Sequence, residues 1–348
     1  MVGILHIYIN FAKVFLQKNS FDYFFILYIL KYIITNFIIY MKQYLQLLEE
    51  IKENGIGKDD RTGTGVRWLF WMQAKYDLAE GFPLVTTKKT FLRWIVVELI
   101  WLIRGETNIK YLVDRDVHIW DEWPFQNYLD NNLLSDKYPK YSDIWFEEKE
   151  KFISKIKSLP ETDQFVIEWW DLWPVYWHQW RNFNSQWVDQ LKNAVDKLNN
   201  DPKDRRIIVS AWNPIQFDKM LLPPCHLLFQ FNVDTKNHKL NLQLYQRSAD
   251  MFLWVPFNVA SYSTLLLLIA KITWLTPWVF THTLWDAHIY NNHIEQVNLQ
   301  LSREPRALPE LKILKDVKTL EDLEKLEWSD FELVWYNPYE RISAPVAV

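Results

Sequence analysis

Glycine is scarce in this chain: 7 of its 348 residues are Gly, whereas 20 are Trp. Glycine reaches positive φ most readily and lets backbones approach closely, so a chain this poor in glycine has few places for tight left-handed turns. An average protein contains about 7% Gly. Taken at face value, the excess of Trp is typical of an aromatic-rich core or of a platform on which bases stack.

The remaining composition is that of an ordinary globular protein. Hydrophobic residues make up 49% and charged residues 24% of the chain, which excludes disordered and collagen-like classes. A net charge of −4 leaves no general nucleic-acid footprint, so no DNA binding is expected. The single cysteine, Cys225, cannot form an intrachain disulfide, which fits a reducing cytoplasm.

Residues 1–40 differ from the rest of the chain. Residues 21–40, FDYFFILYILKYIITNFIIY, are long and apolar enough to span a bilayer. However, a central Lys31 would cost about 2.5–3.5 kcal/mol there, and no signal-peptide cleavage site follows. We expect Met41 to be the true start and residues 1–40 to be translated upstream sequence, with no membrane association unless they are expressed. A transmembrane segment is the alternative.

From Lys42 onwards the pattern indicates one catalytic domain over residues 41–348. Helices and strands interleave without regular βαβ repeats, which favours an α+β class with one sheet as the core. Residues 125–167 are charged and aromatic without strong periodicity, which suggests a variable surface insertion of mixed helix and loop. Helical spacing is found at 44–51, Phe91–Ile103, Asn258–Lys271 and Asp286–Leu301, and strand patterns at Arg206–Trp212, His226–Asn232 and Lys239–Gln246.

The lone thiol lies in LLPPCHLLFQF, directly after two prolines and at the start of a predicted strand. A buried Cys is often a small hydrophobe, whereas a nucleophilic Cys needs positive charge nearby. His226 follows Cys225, but neighbouring strand residues point to opposite faces, so adjacency alone provides no such charge. The pattern leaves both interpretations open.

Arginines form a second group of candidates. Arg61, Arg247 and the pair Arg205-Arg206 border predicted strands or turns, where guanidinium groups can converge on a phosphate. Each could equally be a solvated surface residue. Glu98 interrupts the apolar helix WIVVELIWLI, either as a satisfied buried carboxylate or as an acid of raised pKa.

No metal site is expected. His288 and His293 lie five apart on a predicted helix, so they would not share a face, and a second Cys is absent from the sequence.

Twelve segments in order resemble the folate-dependent thymidylate synthase family, over essentially all of residues 41–348. Because they are largely polar and ordered, the resemblance is specific. The segments are DRTGTG (60–65), GFPLVTTKK (81–89), VELIWLIRGETN (97–108), IWDEW (119–123), PVYWHQWR (174–181), DRRIIVSAWN (204–213), PPCHLLFQF (223–231), QLYQRSAD (243–250), PFNVASY (256–262), DAHIYNNH (286–293), LQLSREPR (299–306) and APVAV (344–348).

The resemblance implies a mixed β-sheet core flanked by helices and a homodimer formed through the sheet face. It also implies conversion of dUMP to dTMP with 5,10-methylenetetrahydrofolate as donor of methylene and hydride, releasing dihydrofolate. Cys225 would add to C6 of the uracil ring, with Glu98, Tyr176, Asn258 and Arg247 as the other catalytic residues. An amide such as that of Asn258 can both donate to and accept from the uracil edge.

The resemblance further implies the binding residues. Arg205 and Arg206 would reach the phosphate from the second subunit. The dUMP residues would be Arg61, Arg205, Arg206, His226, Gln246, Arg247, Ser248, Asp250, Asn258, His288 and Tyr290, and the folate residues Lys88, Glu98, Trp120, Trp123, Asp250 and Val348.

The departures from the family concern tryptophan. Eleven Trp residues stand where the family has Gly, and we interpret them as UGA codons that some bacterial lineages read as Gly, rendered here as Trp. They are Trp71, Trp94, Trp170, Trp173, Trp177, Trp187, Trp254, Trp274, Trp278, Trp285 and Trp335. Five others match family tryptophans, namely Trp101, Trp120, Trp123, Trp180 and Trp212, whereas Trp68, Trp145, Trp169 and Trp328 have no assignment.

Two alternatives remain within this interpretation. A pyrimidine-nucleotide hydroxymethylase could use the same scaffold, although Asn258 favours uracil over cytosine, for which an acid would be expected. If the Gly-to-Trp changes are real, the chain could be a non-catalytic homologue.

Overall fold

The computed structural model describes residues 41–60 and 63–346, and the expectations for residues 1–40, Arg61 and Val348 lie outside them. Residues 41–348 form one compact unit. The described helices are α1 Lys42–Asn54, α2 Leu92–Arg104, α3 Lys110–Val113, α4 Glu122–Asn131, α5 Asp143–Ser158, α6 Gln164–Trp169, α7 Tyr176–Arg181, α8 Gln190–Asn200, α9 Val255–Ile272, α10 Ile294–Leu301 and α11 Leu320–Leu323, with short 3-10 turns at Leu78–Glu80, Pro214–Lys219, Asn291–His293 and Trp328–Asp330.

Six of the described strands form one mixed sheet in the order β1-β2-β6-β5-β4-β3. In this sheet β5 and β6 pair in parallel, whereas all other neighbouring strands pair antiparallel. Two further strands, β7 and β8, pair antiparallel. The strands are β1 Ile56–Lys58, β2 Val66–Asp77, β3 Ile208–Ser210, β4 His226–Asp234, β5 Lys239–Asp250, β6 Thr276–Tyr290, β7 Glu310–Ile313 and β8 Phe331–Val334.

One face of the sheet forms the core. Along β5, Leu240, Leu242 and Leu244 are buried, whereas the alternating Gln243 is exposed, as strand geometry requires. Helix α9 packs on β5 and β6, α2 packs on α9, and α1 packs on β2. Helix α9 is apolar and long enough to cross a bilayer, but 78% of that stretch is buried inside the fold. It is therefore a core helix covering the sheet.

The opposite face of the sheet carries polar and aromatic side chains. Gln73 of β2 and Gln243 of β5 both donate to the hydroxyl of Thr283 on β6, at 2.9 and 3.1 Å. Phe70 and Trp285 lie edge to face, with ring centroids 4.6 Å apart, and both are exposed in the single chain.

The α+β class and the mixed sheet are confirmed, whereas one predicted helix is wrong. Residues 286–290 belong to strand β6, and the helix begins only at Ile294. The reason is pairing on both sides: β6 lies between β2 and β5, and His288 pairs with residues of each. His288 and His293 therefore lie on different elements. The predicted strand at Arg206–Trp212 is shorter, at Ile208–Ser210.

Residues 125–167 contain most of α4 and all of α5, followed by the start of α6. Their aromatic side chains form a small core of their own, in which Phe125 contacts Trp145 and Phe152 with centroid distances of 5.2 and 5.3 Å. All three rings are buried.

Candidate active site

A cavity of about 260 Å³ opens at the carboxyl ends of β5 and β6 and the start of β4, roofed by α2, α7 and α9. Because β5 and β6 are parallel, their last residues meet at one edge of the sheet. The cavity brings together most of the residues that the sequence singled out. They are Glu98, Trp120, Trp123, Tyr176, Cys225, His226, Gln246, Arg247, Ser248, Asp250, Asn258, His288 and Tyr290.

The loop before β4 holds Cys225, which is half-buried, at the cavity wall. Its backbone N–H donates to the Tyr176 hydroxyl at 2.6 Å, and its carbonyl accepts from the Arg247 N–H at 2.9 Å. The Arg247 guanidinium donates to the carbonyls of Pro224 and Pro223 at 2.8 and 2.9 Å. A cationic side chain therefore braces the loop that presents the thiol.

Tyr176 lies beside the thiol as a neutral phenol. Burial raises the pKa of Tyr176 well above its ordinary value, the nearby Cys225 raises it further, and Arg247 opposes the shift. Since the phenol oxygen accepts the Cys225 amide, the O–H is left to donate towards a neighbouring group.

Glu98, on α2, lines the cavity with a carboxyl group. Burial raises the pKa of its carboxyl group to about 7, and a hydrogen bond from Trp120 works against that rise. The Trp120 indole N–H lies 2.7 Å from the Glu98 carboxylate. Near neutral pH both protonation states are populated, which suits a group that passes protons.

Asn258, on the first turn of α9, belongs to a hydrogen-bonded network. Gln246 donates through Nε2 to the Asn258 Oδ1 at 3.2 Å and to the Ser248 carbonyl at 2.9 Å. Burial lowers the pKa of His226 to about 4, with a hydrogen bond to Asn258 opposing, so His226 is neutral at pH 7. The Tyr262 hydroxyl lies 3.3 Å from the His226 Nδ1.

His288 is oriented by a carboxylate beneath it. Its Nδ1 lies 2.8 Å from Asp286, which also pairs with Lys58 at 3.2 Å. Burial works to raise the pKa of Asp286, but His288 and Lys58 together lower it below its ordinary value. In the neutral imidazole, an ionised Asp286 holds the ring proton on Nδ1, which leaves Nε2 as an acceptor for a ligand hydroxyl.

The C-terminal segment reaches the cavity, where Val346 contributes to the wall. His293, fully buried, lies with Nε2 2.7 Å from the Pro345 carbonyl. A carbonyl can only accept, so His293 donates and ties the tail to the fold.

Asp250, at the end of β5, is almost fully buried. Its Oδ1 accepts the backbone N–H groups of Phe252 and Leu253, both at 3.0 Å. These bonds fix the turn into α9, with the carboxylate at the cavity wall.

Among the predicted residues that the structure describes, three do not line this cavity. Lys88 is buried, and its ammonium donates to the Phe252 carbonyl. Burial lowers its pKa to about 7, opposed by the charge of Asp250. Arg205 and Arg206 are exposed, and Arg206 pairs with Asp204 at 2.9 Å beside a separate, open hollow of about 420 Å³.

Sequence reasoning assigned no role to Ser261 and Tyr262, which also line the cavity. Both lie on the same face of α9 as Asn258, three and four residues further on, so helical spacing could have found them. Trp177 and Trp254, from the Gly-to-Trp set, line the cavity as well.

The sequence closely matches those of known proteins. The family model for thymidylate synthase matches residues 42–348. The thymidylate synthase of Mycoplasma mobile is 49% identical over 308 residues, covering 88% of this chain and 100% of that protein. The thymidylate synthases of Malacoplasma penetrans and Mycoplasma genitalium are 49% and 47% identical with the same coverage. With matches of that length and identity, the chain belongs to the thymidylate synthase family.

Proposed function

We propose that the chain converts dUMP to dTMP with 5,10-methylenetetrahydrofolate as co-substrate. The observation that carries this proposal is the half-buried Cys225, braced by Arg247 and Tyr176 in a cavity that also contains a proton-exchanging Glu98. Conjugate addition needs a soft nucleophile, a nearby cation and a proton relay, and this arrangement offers all three.

The Cys225 sulfur bonds to C6 of uracil, and C5 then bonds to the methylene carbon of the folate. Loss of the C5 proton, in reach of Tyr176, and cleavage of the carbon–nitrogen bond to the folate leave an exocyclic methylene. A hydride from the resulting tetrahydrofolate reduces that carbon, the bond to Cys225 breaks, and dTMP and dihydrofolate are released. Glu98 would relay protons near O4.

Substrate contacts follow from the same cavity wall. Asn258 would read the uracil edge, His288 and Tyr290 would hold the deoxyribose hydroxyl, and Arg247 with Ser248 would contact the phosphate. Arg61 would join them. On the folate side, Trp120, Trp123, Asp250 and Val348 are the proposed contacts.

The rise in absorbance that accompanies dihydrofolate formation tests this proposal. We expect turnover that requires both dUMP and 5,10-methylenetetrahydrofolate, and none with a Cys225→Ser variant that still binds dUMP. If the chain with Cys225 intact folds and binds dUMP but forms no dihydrofolate, the proposed reaction is wrong.

The products and the preferred base distinguish the proposed reaction from that of the alternative hydroxymethylase. That activity would transfer the one-carbon unit without a hydride, so it would release tetrahydrofolate and yield a hydroxymethyl product. The amide of Asn258 complements uracil, and we expect dCMP to be a poor substrate.

We further propose a cytoplasmic homodimer that pairs through the open sheet face. The exposed Gln73, Gln243 and Phe70 support this, because such a mixed polar and aromatic surface resembles an interface. Arg205 and Arg206 would then reach the partner's cavity. Mixing Cys225→Ser and Arg206→Ala variants should restore activity in hybrid dimers, whereas the lack of any recovery would contradict the shared site.

Finally, we propose that the eleven family-glycine positions carry Gly in the cell. Among the described non-glycine residues with positive φ, four are Trp, and all four belong to this set. They are Trp71 at 65°, Trp187 at 60°, Trp274 at 57° and Trp335 at 61°. A left-handed backbone is costly for a bulky residue and free for glycine.

Two buried members of the set support the same proposal. The indole nitrogens of Trp170 and Trp177 are buried with no hydrogen-bond partner among the described residues. In contrast, the family tryptophans Trp101 and Trp120 donate to Asn108 and Glu98, at 2.9 and 2.7 Å. Buried indoles normally find an acceptor, so residues 170 and 177 are poorly suited to Trp.

The cavity gives a third argument. Ligand pockets usually measure about 300–1,000 Å³, and this one falls short at about 260 Å³ although it must take a nucleotide and a folate. Trp177 and Trp254 both project into its lining. Glycine at these two positions would enlarge it.

Trp145, which the sequence left unassigned, behaves as a true tryptophan. Its ring is fully buried against Phe125, and its indole N–H donates to Gln126 at 3.2 Å. Reading the gene tests the whole set: UGA is expected at the eleven positions and UGG at Trp101, Trp120 and Trp145. UGG at all of them would contradict the proposal.

A further inference from the structure

We propose that His282 is a positioning residue that sets the preference of the cavity for uracil, by fixing the direction of the hydrogen bonds that run through Gln246 to Asn258. The inference rests on the proposed function, since it assigns a cause to the selection of uracil. His282 lies in the middle of β6, is fully buried, and is not part of the cavity wall.

The first step is the proton on His282. Its Nε2 lies 2.7 Å from the Gln246 Oε1, and its Nδ1 is buried without a hydrogen-bond partner among the described residues. Burial lowers the pKa of His282 to about 3, with a contribution from nearby His226, so the ring carries one proton at neutral pH. Because an amide oxygen only accepts, that proton is on Nε2.

The second step is the Gln246 amide. Its oxygen is held by His282 and its nitrogen donates to the Ser248 carbonyl at 2.9 Å and to the Asn258 Oδ1 at 3.2 Å. A 180° rotation would set an N–H against the His282 N–H and an oxygen against the Ser248 carbonyl. Two anchors therefore define one orientation, and His282 is the buried one, made by a side chain.

The orientation of the Asn258 amide decides which base fits the cavity. With Oδ1 turned to Gln246, the Asn258 amide donates from Nδ2 to a carbonyl at position 4. The same Oδ1 also accepts from a protonated N3, and this is the pattern of uracil. Cytosine has an amino group at position 4 and a bare N3, so it fits only the rotated amide. In that rotated state, the Asn258 NH₂ would face the Gln246 NH₂. His282 thereby disfavours cytosine without touching the base.

The test measures the binding of dUMP and of dCMP by calorimetry without folate. The parent chain is the one that turns over dUMP, either with the given sequence or with glycine restored at the eleven positions. His282→Phe keeps a ring but leaves Gln246 without its donor. We expect the ratio of the two dissociation constants to fall about tenfold or more, as unpaired buried polar groups cost. His282→Gln, whose Nε2 can replace the imidazole donor, should retain most of the ratio.

Gln300→Leu is the matched control, since it also removes a fully buried side-chain donor, but one that binds Thr87 outside this network. Its ratio should equal that of the parent chain. A parent ratio with His282→Phe would overturn the positioning role, whereas a parent that fails to prefer dUMP would overturn the proposed base reading itself.

A second measurement needs no variant. Nitrogen-15 spectra of labelled histidine report which ring nitrogen is protonated, and we expect His282 to be protonated at Nε2. A proton on Nδ1 would refute the network even if His282→Phe does not fold.

Discussion

Replacing Trp71, Trp187, Trp274 and Trp335 with Gly removes four large side chains, and we expect the folded chain to become more stable. All four have positive φ and are largely exposed, at 73%, 88%, 78% and 76%, so little apolar burial is lost. A left-handed backbone costs a non-glycine residue about 1–2 kcal/mol. The greater freedom of glycine in the unfolded chain offsets about 0.5–1 kcal/mol of that.

The net gain is therefore roughly 0–1.5 kcal/mol per site, which at the midpoints is about 0.75 kcal/mol per site and about 3 kcal/mol for the four together. Addition is justified because the four positions lie on separate parts of the fold, in β2, before α8, between α9 and β6, and after β8. Denaturant unfolding followed by circular dichroism measures the gain as a shift of the midpoint at constant slope.

Trp145→Gly is the control, because it removes a buried indole that donates to Gln126. We expect it to lose about 3–5 kcal/mol, the usual cost of deleting a buried aromatic ring. If the fourfold glycine variant were less stable than the printed chain, the argument from backbone conformation would be wrong.

Three further predictions concern the cavity. The pH profile of kcat should inflect near pH 7, and the inflection should be lost in Glu98→Gln. In Trp120→Phe the inflection should move to higher pH, since the lost indole N–H stabilises the Glu98 carboxylate. Asp286→Asn should weaken dUMP binding roughly 2- to 10-fold by releasing the His288 tautomer, with no change for the 2′,3′-dideoxy analogue. His293→Phe should raise the KM for folate by freeing the tail and leave the dissociation constant of dUMP unchanged; equal effects on both would contradict the assignment.

The sequence predicted the sheet where alternation is strict, as in β5, whose Leu240, Leu242 and Leu244 all face the core. The helix predicted at residues 286–290 is wrong, because Ala287 and Ile289 alternate with polar residues there, as in a strand. Pairing with two neighbouring strands decides that segment, and such pairing is non-local.

The site shows the same division. Motif residues such as Cys225 and Asn258 were predicted individually and do share one cavity. The braces beneath them were not predicted, because His282 and Asp286 act through partners that only the folded sheet brings within hydrogen-bond distance. Lys88 was assigned to the site from its motif, but its ammonium contacts a buried carbonyl instead of the cavity.

Release of tritium from 5-tritiated dUMP tests the central claim most directly, because it reports loss of the C5 proton after Cys225 has added to C6. In the chain with glycine restored at the eleven positions, we expect release that depends on 5,10-methylenetetrahydrofolate. Cys225→Ser should lower it by more than about a thousandfold, as removal of a nucleophile does. Release that persists in Cys225→Ser, or that is absent from a folded chain that binds dUMP, would contradict the account.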